Sequence, residues 1–381
     1  MPPAVRDAFC ADLRIAQKAV QSGVVDSRAK AALKHWHLWL DFCGEHTMDP
    51  WFRQGHDPIP YLQVFAARYR DGRIAPSGHA VRSSTVAEAL RNIGQSYRSM
   101  GADDLRLDRH GNIDFRLARQ LRSYTKVDDA PHRVRPIPIQ LLHVLVVAAY
   151  SAIRGDAGFM TIADMACLAF FFLMRPGEHT YSTTNTQFRY CDVKLFIGHR
   201  PIDTQRDPEH LLNRATHIQL VFTTQKNGVK GEIISQGTSG HSLTCPVKAG
   251  VRRLIYARRR HIPFTRPLCT YYDSRNIQRH VTSKNVTTAL RSALNLLPEG
   301  STDLRPQDIE ARSLRAGGAT ALLNAGVTRD TIQLLGRWKS DAMLRYLHVQ
   351  NLPTMNRFAS LMFNRGSYDI PQGFFTPALP P

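Results

Sequence analysis

The sequence lacks the features that would place it in a membrane, in a disulfide-bonded scaffold or among nucleotide-binding folds. Its 381 residues include six cysteines, none in a CxxC pair, and no signal-peptide pattern opens the chain, so we expect neither disulfides nor a zinc ribbon. No GxxxxGK[ST] or GxGxxG motif follows a strand-like run. The longest apolar runs, 141–153 and 165–174, are too short to span a bilayer.

A metal site is not expected either. His35 and His37 flank a tryptophan, but no carboxylate or cysteine lies at ligand spacing from them.

Acidic residues are scarce compared with basic ones. The chain has 31 Asp and Glu against 50 Lys and Arg, a formal net charge of +19. This charge is opposite in sign to nucleic acids and far exceeds what solubility requires, so it predicts a polyanionic partner. With 43% hydrophobic residues the chain can bury a sizeable core, and its length indicates two domains.

Residues 1–125 are predicted to form a small helical domain. Ser84 is a candidate N-cap and Gly101 a candidate stop signal for one of its helices. Residues 126–138 are rich in proline and charge and form the best linker candidate. The segments with apolar residues at helical spacing are 29–43, 59–69, 84–100 and 112–124.

Residues 139–365 are predicted to form a second domain that contains both helices and strands, and residues 366–381 a loose tail. β-Branched and aromatic runs around turn signals such as Asn227-Gly228 predict a small antiparallel sheet. The fold class is therefore mainly α with a small antiparallel β-sheet (α+β). The predicted strands are 188–197, 217–222 and 232–235, and the predicted helices are 139–152, 161–174, 247–261, 286–297, 311–325, 328–335 and 353–364.

The segment 311–349 carries the most informative pattern. Arg315 opens one predicted helix, the next helix ends at Gly336, and Tyr346 follows that glycine by 10 residues and Arg315 by 31. Tyr346 is followed by Leu-His-Val. In these features the segment resembles the C-terminal catalytic signature of the tyrosine recombinase (phage integrase) family.

Two upstream segments match further boxes of that family in the expected order. FFFLMRPGEHT places Arg175 after an apolar helix with Glu178 three residues on, which resembles the first arginine box and its supporting acid. FTTQKNGVKGEIIS places Lys226 between strand-like runs, which resembles the hairpin lysine, with Lys230 as a nearby alternative. The resemblance covers residues 139–364 and implies a core-binding domain before them. The GRWKSDAMLRY segment also resembles Crypton-type recombinases.

The resemblance implies DNA strand transfer without metal or ATP. Arg175 and Arg315 would clamp the scissile phosphate, Tyr346 would attack it, and Lys226 would protonate the departing 5′ oxygen. Arginine suits a transition state that gains negative charge, because its guanidinium is always charged and contacts phosphate in a bidentate manner. The phosphotyrosine conserves the bond energy for rejoining. The implied partners are double-stranded DNA and further copies in a tetramer, in the nucleus of a eukaryotic host or otherwise in the cytoplasm or nucleoid.

The sequence departs from the family pattern at two positions. Arg312 stands where the family has a histidine, three residues before Arg315. Arg337 stands where the family has His or Trp, and Trp338 lies one place later, so either residue is a candidate for that position. A site with these residues lacks a neutral general base for Tyr346.

Further arginines are candidates for DNA contact. The helix 84–100 resembles the groove-facing elements of core-binding domains. The run VRRLIYARRRH at 251–261 is expected to bind phosphates without sequence preference, or to be a solvated basic face. The candidates are Arg91, Arg98, Arg252, Arg253, Arg258, Arg259 and Arg260.

Other interpretations stay open at this point. A type IB topoisomerase would share the catalytic arrangement, and residues 319–336 would suit a helix-turn-helix of a non-cutting regulator, with Gly326 in the turn and Thr328 as a cap. Arg175 and Glu178 could be a structural ion pair. The helix 353–364 has an apolar stripe that would dock on a neighbouring copy or pack in cis.

Overall fold

A computed structural model of the chain describes residues 2–24, 26–53, 55–129, 134–151, 156–182, 187–223 and 231–338. The chain divides into two compact units, Met1–Pro131 and His132–Pro381. The division falls within residues 126–138, the predicted linker segment.

The first unit is helical where it is described. Helix α2 packs against α4, and the core between the helices contains Trp39, Phe65 and Ile93. The Trp39 indole donates a hydrogen bond to the Tyr97 hydroxyl at 2.7 Å. The helices are α1 (Pro3–Ser22), α2 (Asp26–Glu45), α3 (Ile59–Arg70), α4 (Ser83–Ser99) and α5 (Phe115–Val127).

Two features of this unit differ from the sequence-based prediction. Helix α1 was not predicted, and its apolar residues remain exposed, Val5 at 54% and Phe9 at 55%. Ser84 is not the N-cap of α4. The helix begins at Ser83, whose backbone N–H donates to the Asp128 carboxylate at 2.9 Å. A carboxylate 45 residues away therefore supplies the cap.

The second unit combines helices with two antiparallel sheets. The helices are α6 (Ile139–Ser151), α7 (Ala157–Phe171), α8 (Pro176–His179), α9 (Glu209–Asn213), α10 (Pro246–Arg259), α11 (Ser283–Leu294), α12 (Ser313–Asn324) and α13 (Arg329–Gly336). The strands are β1 (Val193–Ile197), β2 (Arg200–Ile202), β3 (His217–Phe222), β4 (Glu232–Gly237), β5 (Thr270–Tyr272) and β6 (Gln278–His280).

The larger sheet has the order β2-β1-β3-β4, and β5 pairs with β6 in a separate ribbon. In the register, Leu195 lies opposite Ile218 and Leu220 lies opposite Ile234, so alternate residues share one buried face. The predicted fold class, helical with a small antiparallel sheet, is confirmed. Strands β2, β5 and β6 were not predicted, because three residues are too few to show alternation.

Helix α7 is central to the second unit. It packs against α6, α10 and α12, and its side chains Met165 and Leu168 are fully buried. Burial of each such side chain contributes about 1.5–3 kcal/mol. This packing fixes the C-terminal end of α7, where the candidate site lies.

Candidate active site

The first arginine box lies in a tight turn after α7. Leu173 has a left-handed backbone with φ of 49°, a conformation that a branched residue adopts only when its surroundings enforce it. Pro176 then opens the short helix α8, with Arg175 as its N-cap residue in an extended conformation. The apolar run of α7 thus ends abruptly, and Arg175 is presented at its edge.

Glu178 holds Arg175 at two points. Its buried carboxylate accepts the Arg175 backbone N–H at 2.7 Å and the Arg175 guanidinium at 3.0 Å. Arg175 keeps 24% of its side chain exposed. The three-residue offset in the sequence therefore forms a direct contact, and it leaves the arginine accessible from one side.

His179 secures the same turn from within. It is fully buried, and its Nδ1 lies 3.0 Å from the carbonyl oxygen of Arg175. Burial lowers the pKa of His179 to about 4, so the imidazole is neutral at physiological pH. Its Nε2 has no hydrogen-bond partner among the described residues.

Arg315 reaches this region because α12 lies unusually close to α7. A Cβ atom on Gly318 would fall 2.1 Å from the Phe170 carbonyl oxygen, and one on Gly317 would fall 2.4 Å from the Ile137 carbonyl oxygen. Gly318 therefore permits the approach to α7, and Gly317 permits a close approach to the segment before α6. Arg315 itself is buried, with 2% exposure.

The ends of two helices receive the Arg315 guanidinium. It donates to the Leu173 carbonyl at 2.9 Å and to the Gly336 carbonyl at 2.5 Å. These carbonyls lie at or just beyond the C-termini of α7 and α13, where the helix dipole favours a cation. Residues 142 positions apart in the sequence are thus brought into contact.

Arg337 and Trp338 both lie in this cluster, directly after α13. Arg337 is the C-cap with φ of 57°, a left-handed conformation. Trp338 folds back over Gly336, where a Cβ atom would meet the indole at 1.5 Å. The Trp338 ring lies 4.1 Å from the guanidinium carbon of Arg315, in cation–π contact. The two candidates for the His/Trp position therefore have different partners: Trp338 contacts Arg315, and Arg337 contacts Glu178 at 2.9 Å.

Arg312 has a different environment from the other candidates. Its guanidinium pairs with Glu310 at 2.9 Å, and 49% of its side chain is exposed. It lies at the N-cap position of α12, one turn before Arg315.

Several predicted site residues lie outside the described residues. They are Tyr346, Lys226, its alternative Lys230, and the predicted last helix at 353–364.

The prediction that the α10 arginines face DNA needs correction for two of them. Arg253 is 2% exposed, and its guanidinium bonds to Thr161, Tyr190 and the Leu268 carbonyl at 2.6, 2.5 and 3.2 Å. Arg252 pairs with buried Asp164 at 2.6 Å. The reason is that α10 packs against both α7 and the larger sheet.

The remaining α10 arginines are nearer the surface. Arg259 and Arg260 are exposed, and Arg258 is half-buried. Arg259 is paired with Glu209 at 2.6 Å. On α4, Arg91 and Arg98 are exposed on the face opposite the core.

The sequence-based prediction missed a basic face on α5. Arg119, Arg122 and Lys126 are exposed, and the helix buries only Leu117. Their spacing of 3 and 4 residues was the available signal, since it places the three cations on one side of a helix.

A polar cleft in the second unit was also missed. It has a volume of about 480 Å³ and is lined by Tyr181, Arg189, Thr223, Arg266 and His280, with Gln187, Thr265 and Pro267. The rings of Tyr181 and His280 stack at 4.5 Å. Burial lowers the pKa of His280, and the charge of Arg266 lowers it further. The cleft brings together residues from four segments, so no local pattern could reveal it.

Neither a metal-ligand cluster nor a membrane-spanning helix occurs among the described residues. No group of three or more His, Cys, Asp or Glu side chains among them is arranged to hold a metal ion. His35 instead contacts the Tyr69 hydroxyl at 3.1 Å and the Asn92 amide at 2.9 Å. None of the described helices has the length and apolar character of a membrane span.

No protein-family model matches the sequence, and no curated protein matches it in sequence. Solved structures match its fold. A XerH site-specific recombinase bound to palindromic difH substrate, in a post-cleavage complex, is similar with a TM-score of 0.50 at 13% identity, over 87% of this chain and 79% of that one. A lambda integrase (75–356) dimer bound to a COC′ core site gives a TM-score of 0.45 at 12% identity, over 89% and 95%. The Tn1549 transposon integrase with transposon right end DNA gives 0.43 at 13%, over 80% and 84%. The chain has a tyrosine recombinase fold, as the resemblance implied.

Proposed function

We propose that the protein is a site-specific DNA recombinase that cuts and rejoins DNA strands through a covalent 3′-phosphotyrosyl intermediate on Tyr346. The observation that carries the proposal is the convergence of the two arginine boxes at the end of α7. Arg315 bonds to the Leu173 carbonyl, and Arg175 follows Leu173 by two residues. Two positive charges far apart in sequence are thus gathered at one place.

The chemistry follows from these charges. Arg175, held by Glu178 and partly exposed, is positioned to contact the scissile phosphate, and Arg315 adds a second fixed cation beside it. Such preorganised donors stabilise the negative charge that develops when a nucleophile attacks phosphorus. In the proposal Tyr346 is that nucleophile, and Lys226 protonates the leaving 5′ oxygen. Rejoining reverses the step and recovers the bond energy, so no ATP is needed, and the proposal assigns no role to a metal.

DNA would be held by the exposed cations. On the first unit we assign phosphate contacts to Arg91 and Arg98 of α4 and to the basic face of α5, and on the second to Arg258, Arg259 and Arg260. The polar cleft fits a further backbone phosphate, because Arg266 supplies charge there and hydroxyl groups supply donors. We further propose that the active form on DNA is a homotetramer.

A test uses a library of nicked duplexes with randomised sequence, in which cleavage releases a short strand and prevents rejoining. We expect a denaturant-resistant protein–DNA complex, joined through the 3′ phosphate, in the presence of a chelator. Tyr346→Phe should abolish it, because Phe keeps the ring and removes the nucleophilic oxygen. An adduct that needs divalent metal, or that the Phe variant still forms, would refute the mechanism.

One observation favours a second function. Helices α12 and α13 are joined by a short turn, with Gly326 at φ of 80° and the Thr328 side chain capping α13. A non-cutting DNA-binding regulator would use two helices joined in this way. However, α13 exposes Asp330 and 75% of Leu334, which suit a DNA groove poorly. Sequence-specific binding without any covalent adduct would favour the regulator. Relaxation of supercoils without strand exchange between duplexes would instead indicate a type IB topoisomerase.

A further inference from the structure

Arg337 is a buried charge beside the candidate site. Its side chain is 2% exposed, and its guanidinium lies 3.8 Å from the centre of the Phe222 ring. Its guanidinium is enclosed and already paired with the Glu178 carboxylate at 2.9 Å, so we assign it no phosphate contact. The residue occupies the family's His/Trp position in the sequence, but its surroundings do not suit a phosphate contact.

The partners of Arg337 belong to the elements that carry the predicted catalytic residues. Its guanidinium donates to the Phe172 and Leu173 carbonyls at 3.3 Å each, just beyond the end of α7. Phe222 is the last residue of β3, and Lys226 follows it by four positions in the sequence. The guanidinium therefore connects the end of α7 to the end of β3.

The contact with Glu178 closes a ring of interactions. Arg337 Nη2 donates to Glu178 Oε2 at 2.9 Å, and Arg175 Nη1 donates to Glu178 Oε1 at 3.0 Å. Arg175 Nη2 in turn donates to the backbone carbonyl of Arg337 at 3.3 Å. The Glu178 carboxylate thus lies between the guanidinium groups of Arg175 and Arg337. The backbone carbonyl of Arg337 accepts a further hydrogen bond from Arg175.

We propose that Arg337 is a positioning residue for Arg175: it fixes the Glu178 carboxylate and supplies its own carbonyl, and so sets the plane of the guanidinium that contacts the phosphate. This inference rests on the proposed function. The left-handed backbone of Arg337 is what lets both its side chain and its carbonyl face the same cluster. A misplacement of about 1 Å in a catalytic group can cost about 10²-fold in rate.

The test is the single-turnover cleavage rate of Arg337→Met at saturating protein, measured well below its unfolding temperature. We expect a loss of about 10²-fold, with the Kd for DNA changed by less than about twofold, because the substituted side chain does not touch DNA. Arg305→Met is the matched control, since Arg305 also pairs with a carboxylate, Asp308, but is 69% exposed. It should cleave at the native rate.

A neutral scissile linkage distinguishes positioning from a merely structural role. In a methylphosphonate one charged oxygen is replaced by a methyl group, so less positive charge is needed at the site. Arg337→Met and Arg175→Ala should both regain activity on this substrate, relative to the native protein, and to a similar degree. A variant that is only misfolded would show the same defect on both linkages, and that result would overturn the inference.

A double-mutant comparison provides the second line of evidence. Because Arg337 acts through Glu178, the combination Glu178→Gln with Arg337→Met should be little worse than Glu178→Gln alone. If Arg337→Met does not fold, Arg337→Lys replaces it in the same comparison. If the losses of cleavage rate in the two single variants add up in the double variant, Arg337 does not act through Glu178. A native protein that forms no adduct defeats the proposed function, whereas native rates in the Arg337 variants defeat only this inference.

Discussion

Two groups of arginines in the second unit differ in how they are bound. On α10, Arg253 is bound by hydroxyl groups and carbonyls, and Arg252 by a buried carboxylate. At the end of α7, Arg315 is held by helix-terminal carbonyls, and Arg175 remains partly exposed. The dense basic run in the sequence is thus partly structural, whereas isolated arginines within apolar segments form the candidate site.

The largest effect is expected from Arg253→Met. The change leaves two hydroxyl groups and two carbonyls without their buried donor, so the free energy of unfolding should fall by about 3–5 kcal/mol. Chemical denaturation measures this change. DNA affinity of the folded variant should be unaltered.

The control for that comparison is Arg259→Met. Its side chain is 69% exposed in an ion pair with Glu209, so we expect almost no change in stability. If both variants lost equal stability, the distinction between structural and surface arginines on α10 would be wrong.

Arg312→Ala should separate catalysis from stability. Its pair with Glu310 is exposed, so stability should change by about 1 kcal/mol or less. If Arg312 supplies a phosphate donor, as its position in the sequence implies, single-turnover cleavage should slow by about 10²- to 10³-fold. Arg312→His should restore part of the rate, and its cleavage rate should fall as the pH is lowered through about 6.5. A native rate in the Ala variant would remove Arg312 from the site.

Because it is buried in its neutral form, His179 should make the stability of the folded protein sensitive to acid. Its folded-state pKa of about 4 lies below its ordinary value of 6.5, so the unfolded chain binds the extra proton first as pH falls. The contribution of neutral His179 to the free energy of unfolding is complete above about pH 6.5 and is lost progressively toward pH 4. At pH 5 the free energy of unfolding should be lower by about 2 kcal/mol.

The matched variant is His179→Asn, which retains an amide N–H for the Arg175 carbonyl but does not titrate. Between pH 7.5 and pH 5, the denaturation midpoint should fall less in this variant than in the native protein. An equal fall of the midpoint in the two proteins would show that His179 does not titrate in this range.

Much of the local structure was predictable from the sequence. The three-residue offset of Arg175 and Glu178 predicts their contact, and Thr328 caps α13 as its position suggests. Such features depend on residues within one helical turn of each other, where spacing determines proximity.

The features that were not predictable depend on distant contacts. The cap of α4 comes from Asp128, and the burial of Arg253 follows from the packing of α10 on α7. Arg337 lies beside Glu178 only because α13 ends in a left-handed turn. A single sequence records each of these residues but not its partner.

The most direct test of the central claim is to identify the residue that carries the DNA. The trapped adduct would be digested with protease and nuclease, and the nucleotide-bearing peptide sequenced by mass spectrometry. We predict a 3′-linked nucleotide on Tyr346, with adduct yield reduced by about 10²- to 10³-fold in Arg315→Lys, since a single ammonium group cannot hold both the Leu173 and the Gly336 carbonyls as the planar guanidinium does. A nucleotide on another residue, or native adduct yield in Arg315→Lys, would contradict the account.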